Sequence, residues 1–258
     1  MRRLGTAAVL LAILVAALFW LPRTGVAALM AVFIAIGGFE WARLCRFGAA
    51  AARFYAAAIV GAFALLVALD IPAPVFVGAA VFWVIAVPLW LWVGVRATQR
   101  LALCTAGFVV LVPAALAMVV LRPAEALLVL AVAWIADTAA YFTGRRWGRH
   151  KLAPAISPGK TWEGAAGGLI GAAAYAMILS LVLAGAQATR MAVFLGAATL
   201  LVMVSIVGDL FESAAKRQAG VKDSGAILPG HGGMLDRIDS ACAILPVAAA
   251  LALLRVIA

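Results

Sequence analysis

Apolar runs about as long as a bilayer is thick follow one another along almost the whole chain. They occupy roughly 4–21, 24–41, 54–70, 74–94, 101–121, 124–143, 164–185, 191–211 and 240–257. An α-helix needs about 20 residues to cross the hydrocarbon. In that medium a backbone must satisfy its own N–H and C=O groups, so such runs can only be helices. The short alternating segments of a membrane barrel are absent. Composition agrees, with 67% hydrophobic residues, 12% charged residues and a mean hydropathy of +1.17. A soluble domain carries about twice that charged share. The expected fold is therefore all-α: a polytopic integral membrane protein with about nine transmembrane helices.

Turn chemistry marks the connections. Pro22-Arg23, Pro72 with Pro74, and Pro123 fall between runs, whereas Pro88 and Pro113 lie inside them. The N-terminal Met-Arg-Arg and the run after it read as an uncleaved first helix rather than a removed signal. Placing the N-terminus inside puts sixteen of the twenty basic residues on the cytoplasmic side. Only Arg23, Arg122, Arg190 and Arg255 remain outside. Cytoplasmic loops carry such an excess of Lys and Arg, so the N-terminus is expected inside and the C-terminus outside. The same dispersal among loops argues that the net charge of +10 serves topology and anionic lipid rather than nucleic acid. Cys45, Cys104 and Cys242 show no metal or disulfide spacing.

The chain divides in character. Residues 1–136 hold three acids and neither lysine nor histidine, whereas 137–258 hold seven acids, all four lysines and both histidines. Residues 1–122 therefore read as scaffold helices, and 123–258 as the region bearing the chemistry, with cytoplasmic loops 144–163 and 212–239. Half of all acids lie between Asp209 and Asp239. Charge beside a membrane interior is costly, so this concentration needs a reason.

Four constellations supply one. In Asp209-Leu-Phe-Glu-Ser213-Ala-Ala-Lys216-Arg217, a carboxylate, a hydroxyl and an ammonium share one helical stripe, which suits a metal-bridged phosphate. An ordinary Glu212–Lys216 pair at i,i+4 is the plainer alternative. The second constellation runs Lys222-Asp223-Ser224-Gly225, then His231-Gly232-Gly233, then Asp236-Arg237-Ile238-Asp239. Its glycines let backbone N–H groups approach phosphate oxygens, and its i,i+3 acids could hold magnesium. Acids in a first helical turn can also answer only to the helix dipole. The third is Asp137, well inside its span, with Tyr141 and Arg145 continuing its stripe. An intramembrane acid is functional by default, with a structural Asp137–Arg145 network as the plainer alternative. The fourth, Ser157-Pro-Gly-Lys160-Thr161-Trp-Glu163, looks like the end of a phosphate-binding loop, but Pro154 stands where that loop's first glycine would be. Lys160 at a helix N-terminus remains a suitable phosphate contact.

These residues resemble the phosphatidate cytidylyltransferases. The likeness rests on Ser213, Lys216-Arg217, Lys222-Asp223, Gly225, Leu228-Pro229, His231-Gly232-Gly233, Asp236-Arg237 and Asp239, with Asp137–Arg145 and Pro158–Gly164 as further segments. Ala215 stands where the pattern has a larger apolar residue, and residues 1–130 match only in hydropathy. The resemblance implies that CTP and phosphatidic acid give CDP-diacylglycerol and pyrophosphate, in a bacterial inner membrane with the site facing the cytoplasm. It further implies a divalent metal, magnesium, with a second cation left open. Asp209 and Asp236 are the first expected ligands, with Asp239 and Asp137 next. Lys160, Lys216, Arg217, Lys222 and Arg237 are expected to neutralise the two anionic substrates, and His231 to orient phosphate. Asp223 joins the catalytic set. Ser157, Thr161, Glu163, Tyr141, Arg145, Ser213, Gly232 and Gly233 are the expected substrate contacts. The partners are CTP and membrane lipid, not nucleic acid, with a homodimer left open. A CTP-dependent kinase of polyprenol or phytol is the nearest alternative, and a secondary transporter a more distant one.

Overall fold

The computed structural model describes residues 12–184, 187–225 and 232–254. His231, together with Leu228 and Pro229 of the motif, lies outside them. Nine helices run through the described residues: α1 (12–20), α2 (Arg23–Leu44), α3 (Ala49–Leu69), α4 (Pro72–Val93), α5 (Arg100–Val120), α6 (Pro123–Trp147), α7 (Trp162–Ala184), α8 (Ala188–Ala219) and α9 (Leu235–Leu253). Seven of them, α2 to α8, are long and apolar enough to cross a membrane. The expectation of about nine spans meets two obstacles. Much of the first run precedes the described residues, and α9 carries Asp236, Arg237 and Asp239 ahead of its apolar stretch from 240 onward.

Local chemistry explains several boundaries. Pro88 has no N–H for the carbonyl one turn back, and α4 widens into a π-turn over Phe82–Ala86 just before it. Pro123 opens α6, where Glu125 reaches back to the Arg122 N–H at 2.9 Å. Gly220, at φ +79°, ends α8 in the left-handed conformation. One part of the chain departs from an all-helical reading. Residues Lys151–Ala153 (β1) and Ser157–Thr161 (β2) pair antiparallel as a small hairpin, with Lys151 opposite Thr161 and Ala153 opposite Ser157. Lys160 therefore sits on a strand, two residues before α7, rather than in a first helical turn.

Helices from both sides of residue 122 share one core. Its aromatic centre is Phe211 of α8, whose ring lies 5.3 Å from Trp90, 5.9 Å from both Trp41 and Phe82, and 6.0 Å from Trp83. Glycines set the closest helix approaches. A Cβ at Gly167 of α7 would fall 2.2 Å from Thr143 Oγ1 of α6. At Gly208 of α8, a Cβ would fall 2.6 Å from Ala243 Cβ and 3.1 Å from the Asp239 carbonyl of α9. Overpacking of this kind costs about 1–3 kcal/mol. A Gly208→Ala variant should therefore unfold earlier in detergent, with α9 and its acids displaced from α8. An unchanged unfolding midpoint would show that this crossing has slack.

The up-and-down path gathers alternate connections at one end of the bundle. There the Arg100 guanidinium lies 4.6 Å from the centre of the Phe47 ring. Arg46 Nη2 donates to the Gln218 carbonyl (2.8 Å), Gln218 Nε2 to the Leu44 carbonyl (2.8 Å) and Arg217 Nε to the Ile156 carbonyl of the hairpin (3.2 Å). The 32 residues of α8 span roughly 48 Å at 1.5 Å per residue, well beyond a hydrocarbon core of about 30 Å. Its C-terminal turns thus stand clear of the apolar layer at this end. An Arg23–Asp70 ion pair of 2.8 Å joins the α1–α2 and α3–α4 connections.

Candidate active site

Two charge clusters meet where α8 leaves the apolar layer. In the first, Lys160 Nζ of β2 lies 2.6 Å from Asp209 Oδ2 of α8. Ser213, one turn on, donates to Asp209 Oδ1 at 3.3 Å. Side-chain exposures of 23% and 32% for Lys160 and Asp209 leave this pair open to a ligand. Asp137 of α6 is exposed and within electrostatic reach of Lys160 and Asp209.

The second cluster is closed. Lys216 Nζ lies 2.6 Å from Asp236 Oδ1 and 3.2 Å from Glu212 Oε1, with every side chain at most 10% exposed. Asp236 Oδ2 accepts the Gly233 N–H at 2.8 Å, the Ser224 N–H at 3.0 Å and the Ser224 hydroxyl at 3.1 Å. This carboxylate therefore draws the two ends of the glycine-rich loop together. Burial opposes its charge, but the bonds from Lys216, Gly233 and Ser224 prevail and hold the Asp236 carboxyl below the usual carboxylate range. Gly232, at φ +81°, leaves no room for a side chain, since a Cβ would sit 2.8 Å from Asp236 Oδ2. Asp239, one turn along α9, joins the two clusters electrostatically through Asp209, Lys160 and Lys216.

Apart from its ion pair with Lys216, neither Glu212 oxygen has a hydrogen-bond partner among the described residues. Both oxygens belong to a residue that lines, with Asp239 and Trp83, a small cavity of about 10 Å³, room for a single water-sized guest. Among the described residues the Trp83 Nε1 is likewise without a partner. A larger open cavity of about 340 Å³ lies beside the loop, lined by residues that include Arg43, Val221, Asp223 and Ser224.

The remaining expected site residues divide by position. Thr161 is buried and its hydroxyl accepts the Gly164 N–H at 3.1 Å, so it caps α7. Glu163 accepts the His150 N–H at 3.2 Å and lies 2.6 Å from His150 Nδ1, tying the hairpin to α7. Ser157 pairs across the hairpin with Ala153. Tyr141 and Arg145 are exposed on α6, where the guanidinium donates to the phenol oxygen at 3.0 Å. Arg217 is exposed and also donates to the Val221 carbonyl at 3.1 Å. Lys222, Asp223 and Arg237 are exposed at the mouth of the loop.

One participant lies far away in sequence. Glu40 of α2 is only 2% exposed. It accepts the Leu235 N–H at 2.9 Å, the Met234 N–H at 3.0 Å and the Ser224 hydroxyl at 3.0 Å. Sequence reading leaves it at the end of a scaffold span. The available signal was a lone acid close behind Gly37-Gly38 in an apolar helix, the same kind of signal that marks Asp137.

The comparisons with known proteins agree in one direction. The model described as "Cytidylyltransferase family" matches residues 1–254. A phosphatidate cytidylyltransferase of Pseudomonas aeruginosa is 41% identical, with 97% of this chain and 96% of that protein covered. The enzyme of the same name from Brucella suis is 37% identical over 85% of this chain and 82% of its own length. That from Haemophilus influenzae is 49% identical over a shorter stretch, 46% of this chain and 42% of its own.

Proposed function

The chain belongs to the cytidylyltransferase family, and on that premise we propose that it transfers the cytidylyl group of CTP to phosphatidic acid in a membrane. The products are CDP-diacylglycerol and pyrophosphate. A phosphatidate oxygen attacks the α-phosphorus of CTP, a new P–O bond forms, and the bond to the bridging α–β oxygen breaks. The attacking phosphate has already lost its proton near neutral pH, so no enzyme nucleophile and no strong base are needed. Catalysis is then positioning and charge neutralisation.

The observation that carries this reading is the convergence of Lys160–Asp209 and Lys216–Asp236 at one end of the bundle, where polar substrate and lipid can both arrive. Lys160 and Lys216 supply compact positive charge for phosphate oxygens, and Lys222, Arg217 and Arg237 extend it at the mouth. Asp223 stands beside Lys222 at that mouth, and Gly232 and Gly233 present backbone close to Asp236. His231 is assigned to phosphate orientation.

The donor set fits a hard divalent cation. Among the described residues no three acidic, histidine or cysteine side chains form a ready-made metal cage. Magnesium does not require one, since it takes one or two carboxylates and fills its shell with water and substrate oxygens. Asp209 and Asp236 would hold it, with Asp239 and Asp137 close by. Asp236 Oδ1 has Lys216 as its single donor among the described residues and keeps a lone pair for the ion. When bound, the cation would neutralise the phosphates and stabilise the departing pyrophosphate.

The basic bias of the loops at this end supports a site facing the cytoplasm in a bacterial inner membrane. Purified protein in mixed micelles, given phosphatidic acid, Mg²⁺ and CTP labelled at either the α or the γ phosphorus, tests the reaction. Label from the α position should enter the lipid, and chelation should abolish it. Transfer of γ label would instead mark a lipid kinase, and no labelled lipid would overturn both.

A further inference from the structure

We propose that Glu40 of α2 is a positioning residue for this reaction, holding the start of α9 and the Ser224 loop so that Asp236 stays against Lys216. The proposal rests on the cytidylyl-transfer reading above for its kinetic part and on geometry alone for the rest.

The first turn of any helix exposes N–H groups that have no partner within it. Met234, the residue before α9, has helical backbone, and its own side chain does not cap the helix. A carboxylate from another helix does the capping: Glu40 accepts both the Met234 and Leu235 N–H groups. An anion at a helix N-terminus also gains from the dipole, and bonds to an ionised acceptor are stronger than neutral ones.

Glu40 and Asp236 share the donors of this junction. Asp236 takes the Gly233 and Ser224 amides, and Glu40 takes the next two amides along the chain. The Ser224 hydroxyl lies 3.0 Å from one carboxylate and 3.1 Å from the other, and its single proton is shared between them. Removing Glu40's acceptor capacity therefore leaves α9 uncapped and shifts that proton wholly onto Asp236, the residue that pairs with Lys216.

Two further features show that the space is made for this carboxylate. A Cβ on Gly225 would lie 2.3 Å from Glu40 Oε1, and one on Gly233 would lie 2.7 Å from it. Both motif glycines therefore let an acid from α2 reach the loop backbone. The neighbouring Trp41 fixes the height of α2, since its indole N–H donates to the Leu103 carbonyl at 2.8 Å and its ring packs on Phe211. Glu40 has no freedom to follow a displaced loop.

The discriminating variant is Glu40→Gln, which keeps the shape but replaces an acceptor oxygen with a donor. Among protein that elutes as a folded monodisperse species, its kcat should fall by about 10- to 100-fold, the usual cost of removing a group that orients a catalytic ligand. Hydrogen exchange should accelerate in peptides spanning 222–225 and 232–240 and remain at parental rates in α5 and α7. Parental kcat in the folded fraction would overturn the proposal. So would exchange accelerated evenly through the bundle, the mark of a merely structural residue. If Glu40→Gln cannot be purified folded, Ser224→Ala decides. It removes only the shared hydroxyl, and should give the same local exchange pattern with a smaller loss of kcat. Parental exchange and kcat in that variant would overturn the proposal. Absence of lipid product from the parent protein would count against the function alone, because the exchange measurement needs no turnover.

Discussion

A Lys216→Met variant is expected to lose cytidylyl transfer and to unfold about 3–5 kcal/mol more easily than the parent, because removing one partner of a buried ion cluster leaves its opposite charges uncompensated. Methionine keeps much of the length and apolar stem of the lysine, so packing around Phe211 should survive. The ammonium itself lies 2.6 Å from Asp236 and 3.2 Å from Glu212, in surroundings at most 10% exposed. A water in the small cavity beside Glu212 would be neutral and would not replace the lost positive charge. Unfolding followed by circular dichroism in detergent, beside turnover of α-labelled CTP, measures both losses. Adding Glu212→Gln to Lys216→Met removes one of the stranded charges. That double variant should regain part of the stability and none of the activity. Stability and turnover both at the parental level in Lys216→Met would remove the lysine from either task.

Asp209→Asn separates chemistry from folding. Its partner Lys160 is 23% exposed and Asp209 itself 32% exposed, and ion pairs this open to solvent contribute only about 0–1 kcal/mol. The amide keeps one acceptor oxygen for the Lys160 ammonium, and its NH2 can donate to the Ser213 hydroxyl oxygen, which now accepts. The fold should therefore be unaffected. The negative charge that would hold the cation is gone, and kcat should fall by about 10²–10³-fold, the scale of losing one preorganised electrostatic group. Raising CTP should not restore it. A Michaelis curve with parental kcat would remove Asp209 from the metal site and shift that role to Asp236 and Asp239. The two variants should therefore differ: Lys216→Met is expected to lose both stability and activity, and Asp209→Asn activity alone.

Much of this site could be read along the chain. Asp209, Ser213 and Lys216 share a helical stripe by simple angular spacing, and in the structure Ser213 does bond to Asp209. The i,i+4 pairing of Glu212 with Lys216 is also local, and it is present. Pairings across elements were not legible. Lys160 meets Asp209 across 49 positions, a contact that depends on a hairpin placing the lysine on a strand beside α8. Thr161 also caps α7, because a hydroxyl at a helix start serves an unpaired N–H there, and Glu163 also anchors His150 across 13 positions. Glu40 escaped notice because its partners lie 184 to 195 residues away.

The order of residues alone was enough to establish a helical membrane protein. A backbone surrounded by hydrocarbon has very few ways to satisfy its polar groups, and charge is too costly there to be spent without purpose. Which lysine neutralises which carboxylate, and which distant acid closes the loop, was left to tertiary packing. Those choices depend on how closely α8 approaches α9 at Gly208 and how α2 is held against α5 and α8 by Trp41. Such separations are set by side chains meeting between helices, and no spacing within a single helix encodes them.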